Sequence, residues 1–213
     1  MRSTKSVLKP LALSTMIGLS SVSLTGCGYN QLQAQDESVT AAWSEVTNQY
    51  QRRADLIDNL VEVTKKYASH EKDVFTEVAQ ARSQISGMNV TPEVLNDPAM
   101  LKKYQEAQSN MGGALSRLMA VSERYPNLKA DALFQDLTAQ LEGTENRISV
   151  ARNRYIEEVK GYNTTVRQFP TNLTAMVFGM DRKENFSVEN EAAISTAPKV
   201  DFGDSNTAEA SSK

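Results

Sequence analysis

The chain has 213 residues, 40% hydrophobic and 23% charged, with a formal net charge of −3, one Cys and one His. These proportions describe a single domain of soluble type and exclude an unfolded chain or a polytopic membrane protein. The lone cysteine excludes disulfide scaffolds and thiolate zinc or iron–sulfur sites, and the lone histidine, His70, leaves no second imidazole for a di-iron bundle centre.

Residues 1–26 read as a bacterial lipoprotein signal peptide. Arg2, Lys5 and Lys9 precede Pro10, and an uncharged apolar run follows from Leu11 to Leu24, about 14 residues, short for a membrane span of roughly 20. The run closes on Leu24-Thr25-Gly26-Cys27, which resembles a lipobox, in which Cys27 is acylated and becomes the first mature residue. Two or three acyl chains hold a protein on a membrane stably where one does not. Membrane lipid through acylated Cys27 is thus an expected partner. Cleavage would take three cations from the 23 and none of the 26 acids, moving the net charge from −3 to −6. A surface so acidic makes nucleic acid an unsuitable partner, since phosphate binding needs cations. Gly28 at the position after Cys27, where an inner-membrane retention signal has Asp, favours the periplasmic face of the outer membrane in a Gram-negative cell. Residues 27–35 read as a lipid-anchored linker.

From Val39 to Ile85 two series step by seven: Val39, Val46, Arg53, Leu60, Tyr67, Val74, Ala81, and Trp43, Tyr50, Ile57, Thr64, Glu71, Val78, Ile85. No Pro or Gly interrupts them, so the spacing predicts one long helix or two collinear ones. Ser86 to Pro92 carries turn chemistry and stops it. Asp97-Pro98 reads as an N-cap with Pro at the first helical position, opening a helix with a stripe at Leu101, Tyr104, Met111, Leu115 and Leu118. Pro126 breaks it. A third helix from near Leu128 places Phe134, Leu141, Ile148, Tyr155, Tyr162 and Phe169 at intervals of seven, and Phe169-Pro170 ends it. Leu173 to Phe178 forms a short fourth segment before Gly179. Long stripes bury only against one another, so the fold class is all-α, an up-and-down antiparallel bundle over residues 36–180. Residues 181–202 are expected to pack extended chain on it through Phe186, Ile194, Val200 and Phe202; residues 203–213 lack apolar groups and are expected to be disordered.

The candidate site lies among polar residues on or beside the stripes. Arg53, Thr64 and Glu71 interrupt the first series, Arg52, Asp55 and Asn59 share an adjoining face, and Glu145, Asn146, Arg147, Arg152 and Arg154 lie mid-way along the third helix. These residues form either a recognition site or a buried polar layer that fixes register, the latter preferred. Arg53 and Glu145 are expected to pair, and Glu145→Ala is then expected to cost roughly 3–5 kcal/mol, because removing one buried partner strands the charge of the other. His70, among charged neighbours, reads as a surface residue. No catalytic residue, metal or cofactor is expected.

The stretch Ala42-Trp43-Ser44-Glu45, then QRRADLIDNLVEVTKKYASHE from Gln51 to Glu71, is similar to the signature of the LemA family. So are AVSERYPNLKA from Ala120, TENRISVARNRY from Thr144 and YNTTVRQFP from Tyr162. The resemblance implies an α-helical bundle and membrane association, usually through an uncleaved hydrophobic segment where this chain carries the Cys27 lipobox. A further departure is Asp58, where the family often has Pro. The resemblance carries no biochemical activity. Two functions follow as alternatives: a non-enzymatic, membrane-anchored scaffold or adaptor contacting an envelope protein, and an envelope ligand-binding or carboxylate-metal bundle enzyme using Glu62, Glu71 and Glu145.

Overall fold

The computed structural model describes residues 8–186 apart from Asn89, with side chains from Gly28 onward except Glu93. Six α-helices and one 3₁₀ turn follow in order: α1 Leu8–Tyr67, α2 Lys72–Ser86, the turn Pro92–Asn96, α3 Pro98–Ser122, α4 Pro126–Lys129, α5 Ala132–Arg167 and α6 Thr171–Phe178. The all-α antiparallel bundle expected from the stripes is the fold. Among the described residues no helix is long and apolar enough to cross a membrane.

The bundle is two antiparallel helix pairs. α1 packs chiefly on α5, and α2 chiefly on α3. In the first pair Trp43, Val46, Ile57 and Leu60 of α1 are buried with Leu141, Ile148, Tyr155 and Val159 of α5. Each such side chain, fully buried, contributes about 1.5–3 kcal/mol of transfer free energy before chain entropy is counted.

The continuous helix expected from Val39 to Ile85 is corrected: the chain reverses at Ala68–Glu71, and α2 runs back antiparallel to α1. Arg82 of α2 pairs with Asp58 of α1, and Val78 and Ala81 join Leu56, Ile57, Leu60 and Val63 in one apolar cluster. The physical reason is burial, because a straight continuation would carry the stripe of α2 past the end of α5 with nothing to cover it. The turn is closed by backbone N–H groups, Glu71 to the Ala68 carbonyl at 3.1 Å and Lys72 to that of His70 at 2.9 Å. It is held by Glu71, which accepts from Arg124 Nη2 and Tyr125 Oη, both at 3.0 Å. His70 is exposed on this turn.

Asp97 caps α3 as expected, accepting from Ala99 N at 2.9 Å and Met100 N at 3.1 Å with Pro98 at the first helical position. The helix expected from Leu128 begins instead at Ala132. Pro126 opens only the single turn of α4, and Asp131 caps α5 by accepting from Phe134 N at 3.0 Å. Two stripe residues are corrected as well. Phe169 lies beyond the end of α5 and is exposed, and Tyr67, at the end of α1, is also exposed. Gly179 ends α6 with φ of +64°, a left-handed conformation in which a side chain would be strained, and Met180 N closes the end on the Ala175 carbonyl at 2.9 Å.

Residues 27–35 are helical and belong to α1, with Leu32 fully buried, so the expected linker is part of the bundle. At the other end residues 181–186 form an extended strap. Lys183 N and O bond both amide atoms of Asn163, Glu184 N donates to the Leu95 carbonyl, and Tyr155 Oη donates to the Glu184 carbonyl at 2.6 Å. Phe186 packs against the rings of Trp43 and Tyr155. Ile194, Val200, Phe202, the tail 203–213 and the leading residues 1–7 lie outside the described residues.

Candidate functional site

The apolar interior is in two clusters, one around Trp43, Tyr104 and Tyr155 and the other around Leu60, Met111 and Leu141. Between them lies a polar layer of Arg53 from α1, Gln105 and Gln108 from α3 and Thr144 from α5, all buried. Arg53 is its centre, only 5% exposed. Its Nη1 donates to Glu145 Oε1 at 3.1 Å, and its Nη2 donates to Gln108 Oε1 at 2.5 Å and to the Gln108 carbonyl at 3.2 Å. The guanidinium also lies 5.0 Å from the centre of the Tyr50 ring, which meets Tyr104 edge-on at 5.8 Å. Burial, with Tyr50 beside it, pushes the Tyr104 phenol well above its ordinary 10.0. One side chain of α1 thereby ties both helix pairs together.

The expected partnership of Arg53 and Glu145 is present, and the energetic premise attached to it is corrected. Glu145 is 45% exposed on its side chain, so water stabilises its carboxylate and screens the pair. Arg53 keeps Gln108 as a partner if Glu145 is removed.

Two clefts of about 520 and 510 Å³ open on opposite sides of this layer and share Tyr50, Arg53 and Gln108. Arg82 and Met88 border the first; Gly112, Gly113, Glu145 and Arg152 border the second. A Cβ at Gly112 or Gly113 would meet nothing within 4 Å, so open space lies over both positions.

The remaining candidate residues divide. Arg152 lines the second cleft and its guanidinium lies 4.6 Å from the Phe186 ring centre. Asn146 is exposed beside Glu145. Arg52, Asp55 and Asn59 are all exposed and form an outer face of α1, where Asp55 accepts from Gln51 Nε2 at 2.8 Å. Arg147 donates to Thr144 Oγ1 at 3.0 Å, and buried Thr64 donates to its own helix at the Leu60 carbonyl. The carboxylates do not converge: Glu62 is exposed, Glu71 is bound at the α1–α2 turn and Glu145 is bound by Arg53. Among the described residues no three His, Cys, Asp or Glu side chains are grouped to share a metal ion. Cys27 lies in α1, and its side chain is outside those described.

Sequence reasoning missed Gln105 and Gln108. A signal for Gln108 was present: Leu101, Tyr104, Gln108, Met111, Leu115 and Leu118 step by three and four, which places this amide on the apolar stripe itself.

Fold and site together define an all-α bundle protein whose two helix pairs are joined by a buried arginine–amide layer. The chain belongs to the LemA family, whose family model matches residues 42–202. It is 28% identical over 174 residues to magnetosome protein MamQ 2 of Paramagnetospirillum magneticum, covering 74% of this chain and 64% of that one. It is 26% identical to magnetosome protein MamQ of Magnetospirillum gryphiswaldense, over 83% and 71% of the two chains. It is also 23% identical to protein LemA of Metamycoplasma hominis, over 68% and 63%. The chain thus spans just under two thirds of the length of the first of these curated relatives.

Proposed function

We propose that this LemA-family protein is a non-enzymatic helical scaffold or adaptor of the bacterial cell envelope, held to a membrane by acylated Cys27. The observation that carries the reading is that Arg53 inside the bundle and the partly buried Glu71 at the α1–α2 turn are engaged in bonds between elements. Arg53 is held between Gln108 and Glu145, and Glu71 between Arg124 and Tyr125, so these groups join helices and none is poised for acid–base work. The anchor rests on the Leu24-Thr25-Gly26-Cys27 lipobox, and Gly28 after it favours the outer membrane. The exposed face of Arg52, Asp55 and Asn59 is the surface offered to an envelope protein partner. A photo-crosslinker placed at these positions in intact cells is expected to trap that partner. Failure to trap any protein there, together with partner capture unaffected by charge reversal of the face, would falsify the assignment. Mass spectrometry of the mature N-terminus is expected to show diacylglyceryl-modified Cys27, and an unmodified Cys27 sinks the anchor.

The paired clefts at Arg53 favour one second reading, a ligand-binding bundle, because their volumes fall in the range of small-molecule sites, roughly 300–1,000 Å³. Metal analysis and native mass spectrometry of the purified chain separate the two: a stoichiometric bound metal or small molecule selects the second reading.

A further inference from the structure

The described residues include eight large hydrophobic side chains that are exposed, and five of them are on one segment. Leu173, Met176 and Val177 stand at i, i+3 and i+4 on the outer side of α6, with Phe169 before the helix and Phe178 at its end, each between 52% and 80% exposed. The other three, Tyr67, Leu133 and Val150, are scattered along the bundle. Single exposed apolar residues are ordinary on a protein surface, whereas a contiguous group marks a contact.

The place of this group in the fold says what it contacts. The inner side of α6, Thr174 and Ala175, is buried against the start of the α1–α5 pair. A Cβ on Gly28 would come 3.3 Å from Thr174 Oγ1, and the Tyr29 and Phe178 rings are 4.6 Å apart. Residue 27 is the next along the chain, and the apolar run 11–24 lies just beyond it. Whether an acylated Cys27 or that run holds the chain, lipid begins within a few residues of Gly28, and a helix rises only about 1.5 Å per residue. No flexible tether intervenes, since residues 28–35 are helical and Leu32 is buried. Between the last turns of α5, which precede α6 in the chain, and residues 182–185, Lys160, Arg167, Arg182 and Lys183 border a recess with the single carboxylate of Glu184, a local excess of cations suited to anionic headgroups.

We infer that the outer face of α6 seats in the interfacial layer of an anionic bilayer, as a second membrane contact beside the anchor. The inference rests on the membrane-anchored reading above and deepens it. Two contacts fix the tilt of the bundle, so that the face of Arg52, Asp55 and Asn59 is presented at a set height and orientation.

The test uses the full chain as purified from membranes, reconstituted in phosphatidylethanolamine–phosphatidylglycerol vesicles with brominated acyl chains. Met176→Trp and Val177→Trp are compared with Val150→Trp, the buried Trp43 being a common background. Several-fold stronger quenching by bromolipid at positions 176 and 177 than at 150 is expected, with weaker quenching by aqueous acrylamide. Equal bromolipid quenching at all three positions overturns the inference. Protection at 176 and 177 from both quenchers also overturns it, since the face is then covered by protein, either a second copy or residues 187–213. Vesicle flotation separates the two levels of the argument. A chain that does not float defeats the anchor, while one that floats with positions 176 and 177 open to acrylamide defeats only the α6 contact.

Discussion

Arg53 and Glu145, 92 positions apart in sequence, meet with Nη1 3.1 Å from Oε1, and the arginine is buried while the carboxylate is half in water. The asymmetry ranks the partners of the guanidinium. Glu145→Ala is expected to cost about 0.5–1 kcal/mol, as for exposed ion pairs. Gln108→Leu should cost more, about 1–3 kcal/mol, because it takes an acceptor from a buried charged donor. Urea denaturation of the two variants decides the order, and a larger loss for Glu145→Ala would show that the pair is shielded from water.

Tyr67 Oη donates to Asp131 Oδ2 at 2.7 Å, locking the end of α1 to the N-cap of α5. The bond from Tyr67, then that from Phe134 N, holds the Asp131 carboxyl below its ordinary 3.8. A depressed folded-state value means that the contribution to stability is present above pH 3.8 and is lost as pH falls through the depressed value. Tyr67→Phe is expected to reduce the acid-side loss of stability relative to the parent chain. Identical slopes of stability against pH below 3.8 would contradict this.

At alkaline pH the sign reverses. Burial raises the Tyr155 phenol, with Glu184 adding to the effect, and pushes Tyr162 up to about 12, with Asp36 and Asp181 adding to it. Raised folded-state values give stability that is complete below pH 10 and is lost as pH rises above it. Absorbance titration should show these two, with Tyr104, ionising only as helical circular dichroism is lost, separately from the exposed tyrosines. A smooth titration of all seven tyrosines near pH 10 in the folded chain would refute it.

Residues 181–186 are tied down at two points, by Lys183, whose Nζ is 2.8 Å from Asp36 Oδ1, and by Phe186 against Trp43 and Tyr155. Phe186→Ala is expected to cost about 2 kcal/mol, below the roughly 3–5 of a fully buried phenylalanine because the ring is only partly covered. Tryptic cleavage after Arg182 and Lys183 should accelerate in the variant while cleavage within α5 does not. Equal rates at both places would mean that Phe186 does not hold the strap.

Residues repeating every three, four or seven positions determined the helices and their buried faces, because helical period is a local property of the chain. Asp97 and Gly179 acted the same way at helix ends, through backbone groups a few residues off, while the Asp131 cap was not read from the sequence, the helix being expected from near Leu128. The reversal at Ala68–Glu71 was not legible, since it contains neither Gly nor Pro and the stripe of α2 runs on in phase with that of α1. Tertiary burial decided it, by giving Val78 and Ala81 a partner only if the chain turned back.

By itself, then, the sequence determined an all-α bundle, its apolar stripes and a polar interruption at Arg53. Only the tertiary structure decided which residues complete that interruption and which large apolar residues are exposed among the described residues. Gln108 meets Arg53 across two helix pairs, and α6 packs its inner side at Gly28 while its outer side is exposed among the described residues. Both depend on distances between segments far apart in the chain, and periodicity within one helix carries no information about what stands opposite it.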